Sequence, residues 1–357
     1  MKISKIYANN ENFKTIEFDK GINFILSKDN GVGKTSLFKL IDFCLLGDKN
    51  FLGHEHFKDY IFYIELQIAS NRYITIKRPT IPGKNIELKI TKQKSMLLDE
   101  KKFDKKGSIG IAKSFFENKV NYSINKFRTY ITYFLREENN QSDVFILNKQ
   151  SSSHEIEYKT LISSLLGIDG RKIRKKYELD KLIKKEDIES KTLENTQSDL
   201  EKVIEENKTL INSYFIDRFK NSIAKYGKIV LDKEVTFSIN FNSCDDIEFS
   251  LKVKDDEEVN DTTKQKLLSF IFAAALAEVY SQKRLIKFVA FDSPFDTEEN
   301  NYEKGIYNAI HQLDTIGIQT IITSNEDLIK SNEILSEIND EYLTDYFSVS
   351  DKLMGNF

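Results

Sequence analysis

Scarcity narrows this chain first. Its 357 residues include three prolines, two cysteines and four histidines. Cys44 and Cys244 stand far apart and form no metal-ligand spacing, so two buried apolar residues are expected, with no redox pair. No apolar run approaches the ~18 residues that a membrane-spanning helix requires, so no membrane association is expected. The first residues, Met1-Lys2-Ile3-Ser4-Lys5-Ile6, have neither the apolar core nor the small-residue cleavage site of a secretory signal, which suggests a cytoplasmic protein. An excess of one charge sign is also missing. The net charge of −3 excludes a wholly basic nucleic-acid-binding domain, although a local basic face can grip a phosphate backbone beneath an acidic total.

What is present is the mixture of a globular protein, with 40% hydrophobic and 31% charged residues. The length suits two domains, or one α/β domain carrying an insertion.

The most informative stretch is Ser27-Lys28-Asp29-Asn30-Gly31-Val32-Gly33-Lys34-Thr35-Ser36. It follows an apolar strand pattern, Ile22–Leu26, and opens a helical one, Leu37–Phe43. Strand, glycine-rich turn, Gly-Lys-Thr and helix form the context of a phosphate-binding loop. Glycines let backbone N–H groups curl around an oxyanion, and the helix N-terminus adds partial positive charge. Asn30, Gly31, Val32, Gly33, Lys34, Thr35 and Ser36 are therefore the candidate nucleotide-binding residues, with ATP and Mg2+ as the expected cofactors. Lys34 reaches toward the terminal phosphates and the Thr35 hydroxyl toward Mg2+. Lys28 stands where the usual pattern has its first glycine.

Around this loop the amino-terminal part reads as strands: Lys2–Ala8, Phe13–Phe18 and Ile22–Leu26, then a hairpin of Tyr60–Ile68 and Tyr73–Arg78 about Ser70-Asn71, then Asn85–Thr91. Their alternation predicts half-buried antiparallel strands. From about 109 to 168 the pattern is helical, including Phe127–Arg136 before a polar loop, Glu137–Asp143, and Tyr158–Leu166 closing at Gly167. Residues 170 to 222 hold no proline and, after Gly170, no glycine. Leu193, Leu200, Asn207 and Tyr214 recur at heptad spacing, with Val203 and Leu210 between them. That supports either a short coiled-coil hairpin turning near Asn195–Ser198 or an amphipathic helix pair packed on the domain. Beyond it, Glu234–Phe241 and Asp246–Val253 form a hairpin and Lys264–Tyr280 a buried helix. The strand Ile286–Phe291, the helix Tyr302–Leu313 and the strand Ile318–Thr323 then alternate as in a covered parallel sheet.

Phe288-Val289-Ala290-Phe291-Asp292 delivers a carboxylate at the carboxyl end of an apolar strand. In phosphate-loop ATPases such a carboxylate orients Mg2+, which makes Asp292 the candidate Walker B residue.

The phosphate loop with Leu40–Gly47, Tyr130–Arg136, Leu165-Leu166-Gly167-Ile168-Asp169, Asp292-Ser293 and Thr323-Ser324-Asn325 resembles bacterial SMC-like ABC ATPases of the SMC, RecF and RecN kind, in particular those of Lamassu-type defence. The resemblance implies an α/β fold: an ABC-type P-loop NTPase head, with a mixed sheet plus an antiparallel β subdomain, and a coiled-coil helical insertion. It implies three parts: an N-terminal half of the head at 1–168, an arm at 169–222, and a C-terminal half at 223–357. It also implies an ATP-dependent homodimer that engages DNA and controls a partner effector, often a nuclease, in defence or DNA maintenance.

Such heads place a glutamate after the Walker B aspartate to polarise the attacking water. Here that position is Ser293, so hydrolysis is expected to be slow, with Asp296 the first substitute base and Glu298 or Glu299 the next. Asn325 stands at the place of a switch histidine; it either bonds a γ-phosphate or water, or caps a following helix. Gln141 is a candidate Mg2+-sensing glutamine or simply a surface residue, and Asn260–Gln265 occupies the place of the loop that closes on the opposite subunit's ATP. Arg171–Lys176 and Lys101–Lys106 are either solvated faces or phosphate-backbone contacts. The alternative to an ATPase is a nucleotide-dependent dimerising scaffold or switch with negligible hydrolysis. A compact small-molecule kinase has no place for the long segment between the two nucleotide motifs.

Overall fold

The structure is a computed structural model, and it describes residues 1–27, 33–47, 57, 59–94, 103–120, 124–136, 144–145, 155–168, 174–175, 177, 214–241, 247–254, 261–281, 286–295 and 302–325. The chain divides into two units, Met1–Glu138 with Tyr280–Phe357, and Asn139–Val279.

The first unit opens with β1 (Lys2–Ala8), β2 (Ile16–Glu17) and β3 (Ile22–Ser27), then α1 (Lys34–Cys44). A meander follows: β4 (Ile61–Ala69), β5 (Arg72–Pro79), β6 (Ile86–Thr91) and β7 (Lys105–Gly107). Next come α2 (Ile109–Val120), α3 (Ile124–Phe134) and β8 (Leu135–Arg136).

Six strands form an antiparallel sheet in the order β2-β1-β4-β5-β6-β7. The β4–β5 hairpin turns at Ser70-Asn71, where the sequence places it. The expectation of half-buried strands is corrected for β1 and β4, whose central residues are buried on both faces. Lys5 and Glu65 explain the misreading, because they are charged yet only 2% and 0% exposed. Lys5 lies in register between Glu17 and Glu65. Burial pulls its ammonium below the ordinary lysine range, and the two carboxylates oppose that shift.

The helical reading of Phe127–Arg136 is also corrected. The helix stops at Phe134, and Leu135 and Arg136 pair in parallel with Ala290 and Phe291.

The second unit holds α4 (Glu155–Leu165), α5 (Tyr214–Leu231), the antiparallel hairpin of β9 (Val235–Phe241) and β10 (Ile247–Val253), and α6 (Asp261–Ser281), whose last two residues count with the first unit. Gly167, at φ +84°, ends the α4 turn in a conformation that a side chain resists. Phe219, Phe237 and Phe272 meet edge to face in its core, at centroid distances of 5.1 and 5.3 Å. The Glu278 carboxylate takes an ion pair from Lys225 at 3.0 Å, and its charge adds to burial in raising the Tyr226 phenol. Of the proposed heptad, Tyr214 opens α5, while Leu193, Leu200, Val203, Asn207, Leu210 and the turn at Asn195–Ser198 lie outside the described residues.

Completing the first unit are β11 (Phe288–Asp292), α7 (Glu303–Thr315) and β12 (Gln319–Asn325). β3, β12, β11 and β8 form a parallel sheet in that order. Near-continuous burial of β3, β11 and β12 reflects apolar runs covered on both faces. Among the described residues no helix is long and apolar enough to cross a membrane.

Candidate nucleotide site

Parallel pairing carries the ends of β3, β12 and β11 to one edge. β12, late in the chain, inserts between β3 and β11, so Asn325 stands opposite Ser27 and Thr323 opposite Asp292. Thr323 and Asn325 are two residues apart on one strand and therefore share a face. Ser27, Asn325, Thr323 and Asp292 thus line one face at the carboxyl edge, where open α/β sheets bind their ligands.

From β3 the chain passes through residues 28–32, outside the described residues, and resumes at Gly33. Gly33 is the N-cap of α1 at φ 104°, a left-handed conformation that suits glycine alone. It offers no side-chain cap, and the first turn holds no acidic residue. Lys34, Thr35 and Ser36 open this turn, whose N–H groups have no intrahelical acceptor. An uncapped helix start of this kind suits an anion. Lys34 Nζ donates to Ser27 Oγ at 2.6 Å.

At the other end of α1 two guanidinium groups satisfy the last carbonyls. Arg128 donates to Asp42 Oδ1 at 2.6 Å and to the Leu45 carbonyl at 3.2 Å. Arg78 donates to the Phe43 carbonyl and lies over the Phe43 ring at 3.8 Å. These cations suit the negative end of the helix dipole.

Asp292 is wholly buried at the end of β11. Its Oδ1 accepts a 2.6 Å bond from the Thr323 hydroxyl. The Ser293 N–H donates to both the carbonyl and the hydroxyl of Thr323, at 3.0 and 3.2 Å, and holds Ser293 at φ 50°. A positive φ at a serine carries strain, here over-determined by its neighbours.

Of the candidate site residues, Gly33, Lys34, Thr35, Ser36, Asp292 and Asn325 are described, while Asn30, Gly31, Val32, Gln141 and Asp296 lie outside the described residues. A Mg2+ ion takes one or two protein oxygens together with phosphates and water. The hydroxyl of Thr35 and the fixed carboxylate of Asp292 are donors of that chemistry. Sequence reasoning missed Ser27 and Thr323, the two hydroxyls that hold the key charges. The available signal was a hydroxyl residue within or closing an otherwise apolar strand.

The class these elements define is the ABC-type P-loop ATPase head fold. The Smc head bound to the C-winged helix domain of ScpA is 13% identical, with a TM-score of 0.54 over 94% of this chain and 91% of that one. The Smc head domain with a coiled coil and joint from Pyrococcus yayanosii is 11% identical, with a TM-score of 0.52 over 92% and 93%. A family model described as an AAA domain matches residues 3–215, and the chain belongs to that family. No curated protein matches the sequence.

Proposed function

We propose that the chain is an SMC-like ABC ATPase that binds Mg2+-ATP between two copies of its head, engages DNA and controls an associated effector, of nuclease type. Defence against phage or plasmids, as in Lamassu systems, or DNA maintenance is the setting that the sequence resemblance supports. The observation that carries this reading is the delivery of Ser27 and Asp292 to one sheet edge, with Lys34 held on Ser27.

In this reading Lys34 binds the terminal phosphates, and the first-turn N–H groups of α1 bind phosphate oxygens. Thr35 and Asp292 hold Mg2+ directly or through water, with Gln141 as a further contact. When bound, Mg2+ neutralises charge that develops on the phosphates. Ser293 is not a base at neutral pH, so turnover is slow and Asp296 is the proposed substitute. Asn325, at the strand end beside Ser27, orients the γ-phosphate or the water. A second copy covers the nucleotide with its Asn260–Gln265 segment, of which Asp261–Gln265 form the start of α6 and not the loop read from the sequence. The segment 169–222 forms the arm, between head halves 1–168 and 223–357, and Arg171–Lys176 meets DNA beside it. The Smc head in the compared structure is bound to a winged-helix domain, which supports a protein partner here.

Ser293 favours a second reading, a nucleotide-dependent dimerising scaffold with negligible turnover. Steady-state hydrolysis with and without duplex DNA separates the two. Slow, DNA-responsive turnover is expected, together with ATP-dependent dimers of an Asp292→Asn variant in light scattering. Nucleotide-loaded protein that stays monomeric and does not respond to DNA contradicts the proposal.

A further inference from the structure

Lysine is a poor aiming device by itself. Its ammonium is a compact charge on a flexible four-carbon stem, and fixing that stem costs rotamer entropy. Here the Lys34 ammonium is already placed, because its Nζ donates to Ser27 Oγ at 2.6 Å. The short distance is that of a charge-assisted bond.

Ser27 is itself immobilised. It is 0% exposed, it is the last residue of β3, and it lies in register with Asn325 of β12. Its hydroxyl therefore sits on the rigid sheet, at the point where the chain leaves for the phosphate loop. The preceding strand, Ile22–Leu26, is otherwise apolar apart from Asn23. Nothing in the phosphate-loop pattern itself asks for a hydroxyl at position 27.

We propose that Ser27 is a positioning residue for nucleotide binding, which aims the Lys34 ammonium at the phosphates. An ammonium has three N–H donors. The bond to Ser27 takes one of the three, so it persists when nucleotide binds and lowers the ordering cost of binding. The inference rests on the reading of Lys34 as the phosphate-binding lysine.

The full-length chain tests it. Calorimetric titration with Mg2+-ATP is expected to show Ser27→Ala weakened about tenfold, the usual scale for one hydrogen bond to a charged group. Ser27→Thr, which keeps the hydroxyl, should restore the wild-type affinity. A second readout follows Lys34 alone: brief labelling with acetic anhydride, quantified by mass spectrometry, should modify Lys34 more in Ser27→Ala than in wild type. An unchanged or tighter ATP affinity in Ser27→Ala overturns the proposal, the tighter result because it shows that Ser27 competes with phosphate. Unchanged Lys34 labelling overturns it as well, because a merely structural serine would not alter that lysine's freedom. Lys34→Ala is the separate control: if it binds ATP as wild type does, the phosphate-loop reading itself fails, whatever Ser27 does.

Discussion

The Thr323 hydroxyl donates to Asp292 Oδ1 at 2.6 Å, and both residues are wholly buried. A hydroxyl on β12 thereby fixes the rotation of the carboxylate that ends β11. The same oxygen accepts the Ser293 N–H at 3.2 Å, so one side chain holds both residues of the Asp-Ser pair.

Removing that hydroxyl while keeping the volume should loosen the metal and spare the fold. Thr323→Val is expected to raise the Mg2+ concentration needed for ATP binding by roughly 10-fold or more, the scale found for residues that orient a metal ligand. Thr323→Ser should reverse the effect. Nucleotide titrations across a Mg2+ series make the comparison, and an unchanged Mg2+ dependence in Thr323→Val removes Thr323 from the site.

The far end of α1 supplies a prediction about stability. Arg128 and Asp42 form an ion pair at 2.6 Å with side chains 15% and 21% exposed. A Cβ at Gly47 would collide with Asp42 and come within 3.1 Å of the Arg128 guanidinium. Arg128→Ala should cost about 1–3 kcal/mol in urea unfolding. Gly47→Ala should also destabilise, because it strikes the same contact. A stability unchanged in both variants would show that this helix end is not held by these groups.

Cys44 gives a pH-dependent test. Burial pushes its thiol up to about 12, and the Arg78 charge opposes the shift without cancelling it. A raised thiol pKa means that the folded chain keeps the neutral form. The associated stability is complete below the unfolded value, near 9, and is lost as pH rises from there toward 12. In a Cys244→Ser background, a thiol reagent at pH 8 should leave the native protein unlabelled and react fully once the chain unfolds in urea. Fast native labelling would contradict the burial of Cys44.

The parts legible in the sequence were those with local signals. The strand–glycine–lysine–helix pattern gave β3 and α1, the apolar run before Asp292 gave β11, and turn residues at Ser70-Asn71 gave the β4–β5 hairpin. The features missed exist only through pairing. β8 is two residues long and is a strand only because β11 lies beside it. Ser27 and Thr323 matter through what they bond, Lys34 at the start of α1 and Asp292 on the neighbouring strand. The buried faces of β1 and β4 were hidden by Lys5 and Glu65, whose charges read as solvent-facing until their register brings them together. Arg78 and Arg128 reach α1 from distant segments, at contacts that no local pattern encodes.

Nucleotide binding through Lys34 is tested most directly by calorimetry of the purified chain with Mg2+-ATP, wild type beside Lys34→Ala. The substitution removes a half-buried cation at the start of α1 without cutting into the apolar core, so both proteins should show the same circular dichroism and nearly the same melting temperature. Saturable binding by the wild type and none by Lys34→Ala is the predicted result. Equal ATP affinity in two equally folded proteins would contradict the assignment of this sheet edge as a nucleotide site.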